Sequence, residues 1–246
     1  MSVDVTQTIR IAMWSGPRNM STTMMRSFGA RPEAACVDEP FYAAWLVAAG
    51  EAHPMQQEIL ASQSSDPAVV ASQLLAPLPP GKTLQYQKQM THHMLESFPL
   101  DWVSGLRHAF LVRHPGRVIA SYTKKMGDVS LDAIGVPQQE WLYREITERT
   151  GKAPPVVDSD RLLADPPEVL PRLCDALGID WDPAMLGWAP GAKPEDGAWA
   201  PHWYDAVWKS SGFGAPPGPL PEHTGKAADI EKEALESYER LLQNHV

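Results

Sequence analysis

The residues between positions 14 and 23 are of the types that bind a phosphate-like anion. Gly16 lets the backbone come close to a ligand, and Arg18 supplies a rigid guanidinium fork. A loop between a buried strand and a helix also leaves several backbone N–H groups directed at one place, where they attract negative charge. An ordinary turn with serine and threonine helix caps is the alternative for this segment alone. The predicted anion loop comprises Gly16, Pro17, Arg18, Asn19, Met20, Ser21, Thr22 and Thr23.

A second basic site is predicted where another apolar run ends. Arg113 follows the apolar residues 109–112, and Ser121 comes eight residues later at helical spacing. Open α/β sheets bind ligands outside the carboxyl ends of their strands. A phosphate there would accept a charge-assisted bond from Arg113 and a hydroxyl bond from Ser121. Taken alone, Arg113 could equally pair with a carboxylate, but together with Arg18 it favours a ligand that carries two anionic groups.

Neither motif has the form expected of an ATP- or GTP-binding protein. Such a loop reads GxxxxGK[ST], whereas Gly16 is followed after four residues by Ser21 with no preceding lysine. The strand at 109–112 ends in Arg113 rather than in an acidic residue that could hold Mg²⁺. A P-loop kinase or NTPase is therefore a disfavoured alternative.

Short apolar runs alternate with longer amphipathic stretches, which is the pattern of βα units and predicts a parallel sheet. Strands are expected over 8–14, 34–37, 82–87, 109–112 and 155–157. Helices are expected over 21–28, 41–49, 54–62, 67–75, 118–125, 140–149, 166–177 and 230–242. The stretch 181–221, rich in proline, glycine and tryptophan, gives no clear assignment.

Composition limits the kinds of protein this can be. With 246 residues, 43% hydrophobic and 21% charged, the chain can build one soluble domain over 1–246 with a real core, which excludes disordered and collagen-like structure. The net charge of −9 argues against broad nucleic-acid binding. An acidic protein can still bind anionic small ligands in a locally basic pocket.

Targeting signals and cysteine usage point to the cytoplasm. Cys36 and Cys174 form no CxxC pair and are too few for a disulfide framework or a zinc site, so a reducing compartment fits. The first ten residues lack a basic stretch followed by an apolar one, and the longest apolar run, 41–49, is too short to span a membrane. A cytoplasmic protein without a membrane or nucleic-acid partner is expected, and the oligomeric state is not indicated.

Taken in order, the two motifs resemble those of sulfotransferases that use 3′-phosphoadenosine 5′-phosphosulfate (PAPS). Residues 17–23 are similar to the 5′-phosphosulfate loop of that family, with one additional residue, and 113–121 match its 3′-phosphate site. Residues 157–178 resemble the family's late strand and helix. The segments 14–19, 38–40 and 193–197 resemble a bacterial and plant subgroup called sulfotransferase-like.

This resemblance implies an α/β, P-loop-type three-layer fold with a central parallel sheet flanked by helices. It implies transfer of the sulfuryl group from PAPS to a hydroxyl or amine of a small-molecule acceptor, which leaves 3′,5′-adenosine bisphosphate and needs no metal. The loop around Arg18 would hold the leaving 5′-phosphate, and Arg113 with Ser121 would hold the 3′-phosphate. Lys209 is a further candidate near the nucleotide.

Two residues compete for the role of catalytic base. Many members of the family carry Lys-x-His after the third strand, whereas here His92 comes four residues after Lys88 and is followed by His93. A neutral imidazole has a suitable pKa, and His92 could reach the acceptor, whereas His93 is expected to face elsewhere. Surface or helix-capping roles are the alternative for both. Glu39 is the rival, since burial can raise the pKa of a glutamate, unless Asp38 and Glu39 merely pair with an arginine such as Arg18.

The tryptophan-rich segment allows two interpretations. It could form an acceptor pocket or stack on adenine, but such tryptophans more often attach an irregular segment to its domain, and packing is favoured for most of them. A nucleotide-binding module that has lost its base is the non-enzymatic alternative, and the shifted histidine spacing is its support. The tryptophans concerned are Trp188, Trp199, Trp203 and Trp208.

Overall fold

A parallel five-stranded sheet forms the centre of the protein. The computed structural model describes residues 8–50 and 53–246. Within them the strand order is β2-β3-β1-β4-β5, so the chain turns back at β3 and crosses β1 to reach β4. The strands are β1 (Ile9–Ser15), β2 (Ala34–Asp38), β3 (Leu84–Met90), β4 (Arg107–Val112) and β5 (Val156–Asp158). The predicted parallel α/β sheet is confirmed, and β3 continues past its expected end at residue 87, so that Lys88 lies within the strand.

Helices connect the strands, as the predicted βα pattern requires. They are α1 (Ser21–Gly29), α2 (Tyr42–Ala49), α3 (Gln56–Ser62), α4 (Pro67–Leu74), α5 (Pro115–Met126), α6 (Leu131–Ile134), α7 (Val136–Thr150), α8 (Ser159–Ala164), α9 (Pro166–Leu177), α10 (Ala200–Trp203), α11 (Asp205–Trp208) and α12 (Lys226–Leu242). Single 3₁₀ turns occur at Thr91–His93, Asp101–Gly105 and Pro183–Leu186. No helix in the described parts of the chain is both long enough and apolar enough to cross a bilayer.

Both faces of the sheet are covered, which makes the fold three-layered. Successive side chains of a strand point to opposite faces, so Ile11 and Met13 of β1 pack with α1 and α9, whereas Ala12 and Trp14 pack with α5, α7 and α12. Continuous apolar strands of this kind are typical of parallel sheets buried on both sides.

The carboxyl ends of β1, β3 and β4 meet at one edge of the sheet. Ser15 pairs in register with Met90 of β3 and with Leu111 of β4. The loop after β1, the turn after β3 and the start of α5 after β4 therefore share this edge, where the order of strands reverses. Ligands bind at such switch points in open α/β sheets.

Candidate active site

The loop between β1 and α1 has an unusual backbone. Arg18 and Met20 both adopt φ of 62°, a left-handed conformation that is rare outside glycine. Asn19 between them is buried, and its amide donates to the carbonyl of Leu111 at 3.1 Å, which fixes the loop to β4. Strained residues persist where their surroundings over-determine them, and they concentrate at ligand-binding sites.

The first turn of α1 could bind an anion through its backbone N–H groups. Its N-cap residue, Met20, makes no side-chain capping bond, and the first turn carries no acidic residue. The backbone N–H groups of a first helical turn have no partner within the helix, so they favour a negative charge from outside. Thr22 and Thr23 are half-buried there, whereas Ser21 is buried and its hydroxyl lies 3.8 Å from the Met90 sulfur.

Gly16 is buried at the start of this loop. A methyl group on its Cα would meet the side-chain nitrogen of Asn19 at 3.4 Å and the carbonyl oxygen of Ile134 at 3.5 Å, both ordinary contacts. Protein packing alone therefore does not require glycine at this position. Pro17, the next residue, lies half-buried against the loop at Gly135.

The structure brings Arg18, Arg113 and Ser121 together. Nε of Arg18 donates to Oγ of Ser121 at 3.0 Å, and Nη1 of Arg113 donates to the backbone carbonyl of Arg18 at 2.8 Å. Burial lowers the pKa of both guanidinium groups. The two basic turns predicted from the sequence are thus in direct contact.

No carboxylate within residues 8–50 and 53–246 forms an ion pair with Arg113. The nearby Asp160 instead pairs with Arg117 at 2.6 Å. Nε of Arg113 is buried without a hydrogen-bond partner, although the Arg18 side chain beside it is exposed. Two guanidinium groups close together, neither of them ion-paired with a carboxylate in the described residues, favour an anion at this place.

A second polar cluster lies at the ends of β2 and β3. Nζ of Lys88 lies 2.9 Å from Oδ1 of Asp38 and 2.6 Å from Oε1 of Glu39, and it also bonds to the hydroxyl of Tyr204. All four residues are buried. The alternative prediction, in which Asp38 and Glu39 pair with Arg18, is therefore wrong. Both carboxylates pair instead with Lys88 on the adjacent strand.

The two histidines occupy the 3₁₀ turn after β3. Against expectation His93 does not face elsewhere: it stacks on Tyr42, and its Nδ1 lies 3.9 Å from Oε2 of Glu39. The ring of His92 lies edge-on to Trp45 at 5.4 Å. Burial lowers the pKa of His92 to about 3 and lowers that of His93 as well. The expectation that His92 has a pKa near neutrality is therefore wrong.

Glu39 shows the opposite tendency. Burial is the largest influence and raises the pKa of its carboxyl, whereas the charge of Lys88 lowers it and that of Asp38 raises it. Glu39 also adopts φ of 39°, the third strained position at this edge of the sheet.

Met90 lies between the two clusters, two residues beyond Lys88 on β3, with its sulfur against Ser15 and Ser21.

Three of the four tryptophans donate hydrogen bonds within the segment 181–221. Trp199 donates to the hydroxyl of Tyr204 at 3.1 Å, Trp208 to Asp196 at 2.9 Å and Trp188 to Ser210 at 3.1 Å. These bonds organise the segment itself, whereas Trp199 also packs it against the domain, since it is buried and its ring lies edge-on to Tyr42 at 5.0 Å.

Trp203 and Lys209 are the remaining candidates from that segment, and each contacts a charged residue. Trp203 is half-buried and carries Nζ of Lys125 over its ring at 5.1 Å. Lys209 is exposed and pairs with Asp205 at 2.8 Å. Its contact with a nucleotide stays a prediction.

The sequence did not single out Lys88 and Tyr204 as parts of the site. A lysine inside a strand buried on both faces must find a carboxylate partner, and this signal could have identified Lys88. Tyr204 carried no comparable signal. Among the residues that the structure describes, no three histidine, cysteine, aspartate or glutamate side chains are grouped so that they could hold a metal ion.

Comparisons with known proteins found curated relatives, solved structures and a family. Two curated relatives from Arabidopsis thaliana are named branched-chain-amino-acid aminotransferase-like proteins 2 and 1. The first is 34% identical over 206 residues, 84% of this chain and 36% of that protein. The second is 33% identical over 236 residues, 96% of this chain and 42% of that protein. The chain thus spans about two fifths of the length of these relatives or slightly less.

Solved structures of similar chains include two sulfotransferases. One is the sulfotransferase domain of the Synechococcus PCC 7002 olefin synthase, with a TM-score of 0.49, 17% identity and coverage of 97% of this chain and 98% of that one. The other is a sulfotransferase from Alicyclobacillus acidocaldarius, with a TM-score of 0.48, 11% identity and coverage of 76% and 87%. The family model described as a sulfotransferase domain matches residues 9–243. Because that match covers nearly the whole chain, the protein belongs to the sulfotransferase-domain family of transferase enzymes.

Proposed function

We propose that this protein moves the sulfuryl group of PAPS to a hydroxyl or amine of a small-molecule acceptor, with 3′,5′-adenosine bisphosphate as the other product. The observation that carries the proposal is the contact between the two basic turns, in which Arg113 bonds to Arg18 and Arg18 bonds to Ser121. PAPS carries anionic groups at its 5′ and 3′ ends, so it suits a site with two neighbouring guanidinium groups.

The residues present fit such a donor. The unpartnered Nε of Arg113 and the uncapped first turn of α1 are hydrogen-bond donors that lack protein acceptors in the described structure. Arg18, the backbone from Gly16 to Met20 and the hydroxyls of the first helical turn would hold the 5′ end. Arg113 and Ser121 would hold the 3′-phosphate. Bound PAPS supplies an activated sulfuryl group.

Sulfuryl transfer needs in-line alignment, stabilisation of the leaving oxygen and removal of a proton from the acceptor. Arg18 supplies positive charge where the leaving phosphate develops negative charge. Glu39 takes the proton of the acceptor, since its raised pKa gives a carboxylate that is more basic than usual. His92 and His93, with lowered pKa values, stay neutral and shape the acceptor side.

Thermal denaturation with nucleotides tests this function. Unfolding is followed with 3′,5′-adenosine bisphosphate and, separately, with ATP and Mg²⁺. The bisphosphate at roughly 100 times its Kd should add about 2.7 kcal/mol of stability. Arg113→Met should remove most of this gain, whereas Arg149→Met, at an exposed ion pair on α7, serves as the matched control. Stabilisation by ATP with Mg²⁺ alone would instead favour a kinase or NTPase.

A further inference from the structure

Lys88 is buried at the centre of the second polar cluster. Its side chain is 1% exposed, and it lies on β3 directly opposite Asp38 on β2. Its ammonium group contacts both carboxylates, Asp38 at 2.9 Å and Glu39 at 2.6 Å. A buried lysine is stable only when such partners compensate for its lost hydration. One positive and two negative charges therefore share this dry site.

Lys88 fixes Glu39 through the backbone as well. The N–H of Glu39 donates to the carbonyl of Lys88 at 2.9 Å, while the carbonyl of Glu39 accepts from the Gln63 side chain at 3.0 Å. These bonds hold Glu39 in its left-handed conformation, with φ of 39°. One carboxylate oxygen, Oε1, faces Lys88, and the other, Oε2, has His93 as its neighbour at 3.9 Å.

Asp38 connects the same cluster to the tryptophan-rich segment. Its Oδ2 accepts from the hydroxyl of Tyr204 at 2.7 Å and from the backbone N–H of Gly197 at 3.1 Å. Trp199 in turn donates to the Tyr204 hydroxyl. The segment around residues 197–204 thus closes over Lys88 and keeps water away from it.

We propose that Lys88 is a positioning residue, which keeps Glu39 ionised and oriented toward the acceptor, and that Asp38 balances the lysine charge so that Glu39 remains basic. This inference rests on the proposed function, in which Glu39 accepts the proton of the acceptor. With Lys88 alone beside it, Glu39 would be too acidic to act as a base. With Asp38 alone beside it, the carboxyl of Glu39 would hold its proton more tightly.

Other groups around Glu39 are neutral near pH 7, so they do not disturb this balance. Tyr42 and Tyr204 have pKa values raised by burial, and His92 and His93 have pKa values lowered by burial. Lys88 and Asp38 are then the charges that set the ionisation of Glu39. The proposal consequently predicts an ordered response when each is neutralised.

The test compares the wild-type protein with Lys88→Met, Asp38→Asn and the double variant. Infrared difference spectra over a pH titration follow the carbonyl stretch of the protonated Glu39 carboxyl, which Glu39→Gln identifies by its disappearance. Lys88→Met should raise the pKa of Glu39 by roughly 1 to 3 units, as expected when an opposite charge at close range is removed. Asp38→Asn should lower it, and the double variant should titrate between wild type and Lys88→Met, because both the charge and the hydrogen bond of Lys88 lower this pKa whereas the charge of Asp38 raises it.

A merely structural role for Lys88 would not give this order. In that case the double variant would resemble Lys88→Met, or all folded variants would titrate together, and either result overturns the proposal. If Lys88→Met fails to fold, Asp38→Asn alone still decides, because an unchanged or raised pKa of Glu39 contradicts the charge balance. Failure of the proposed function is distinguishable, since it appears as absent binding of 3′,5′-adenosine bisphosphate to the wild-type protein.

Discussion

Glu39 and His92 present different chemistry to an acceptor, because burial acts on them in opposite directions. It raises the pKa of the Glu39 carboxyl and lowers that of the His92 imidazole to about 3. A catalytic base works best when its pKa lies near the operating pH. Burial thus moves the carboxylate toward this range and the imidazole away from it, so Glu39 is the better candidate at the scale of single residues.

Glu39→Gln is expected to abolish most of the transfer while leaving nucleotide binding intact. Removal of a general base typically costs about 10²- to 10⁴-fold in rate. The measurement is turnover of ³⁵S-labelled PAPS with a set of simple alcohols, phenols and amines. His92→Asn is the comparison and should lower the rate far less. A larger loss in His92→Asn than in Glu39→Gln would assign the base to the histidine.

Part of this site could be predicted from the sequence, and the rest could not. Arg18 and Arg113 each belong to a short motif at a strand end, so topology alone placed them at one edge of the sheet. Tyr204 and Asp38 meet across 166 positions of the chain, and Tyr204 belongs to no recognisable motif that would indicate this partner. Their pairing depends on how the irregular segment folds back, which local patterns do not encode.

At the scale of elements, the segment 181–221 depends on a few polar anchors rather than on regular structure. Arg26 of α1 is buried and contacts Asp196 at 2.6 Å, and Trp208 donates to the same carboxylate. The predicted start of α1 at Ser21 is confirmed. No element is predicted for the later stretch, because α10 and α11 are single turns that are too short to show a helical period. Arg26 thus links α1, which the sequence predicts, to the segment 181–221, for which it predicts no element.

Arg26→Met should destabilise the protein strongly. Breaking a buried ion pair from one side costs about 3 to 5 kcal/mol, because the remaining carboxylate is left buried without its partner. Arg172→Met, which removes an exposed pair with Glu168 on α9, should cost less than about 1 kcal/mol. Chemical denaturation of the two variants provides the comparison, and equal losses would show that Arg26 is not an anchor.

At the scale of the whole molecule, buried neutral histidines link stability to pH. His108 on β4 accepts from Trp14 at 3.1 Å through Nδ1, and its Nε2 lies 2.8 Å from the carbonyl of Val103. Burial lowers its pKa from 6.5 to about 4. The unfolded chain therefore binds this proton more readily than the folded one. The stability that His108 contributes is full above about pH 6.5 and is lost as the pH falls toward 4.

Unfolding free energy should accordingly decline between pH 7 and pH 4, with about 3 kcal/mol of the decline due to His108. His108→Gln should flatten the decline by about this amount, since glutamine takes up no proton in this range. His202→Gln, at an exposed position on α10, should leave the slope unchanged. Parallel pH profiles for wild type and His108→Gln would contradict the assignment.

Arg18 and Arg113 are proposed to hold opposite ends of one nucleotide, and calorimetric titration with three nucleotides separates their roles. The ligands are 3′,5′-adenosine bisphosphate, adenosine 5′-phosphate and adenosine 3′-phosphate. Loss of a charge-assisted hydrogen bond, about 1.5 to 3 kcal/mol, corresponds to roughly a 10- to 100-fold weaker Kd. Arg113→Met should weaken the two ligands that carry a 3′-phosphate and spare the 5′-phosphate, and Arg18→Met should weaken the two that carry a 5′-phosphate. Equal weakening of all three ligands by each substitution, or no weakening at all, would contradict the account.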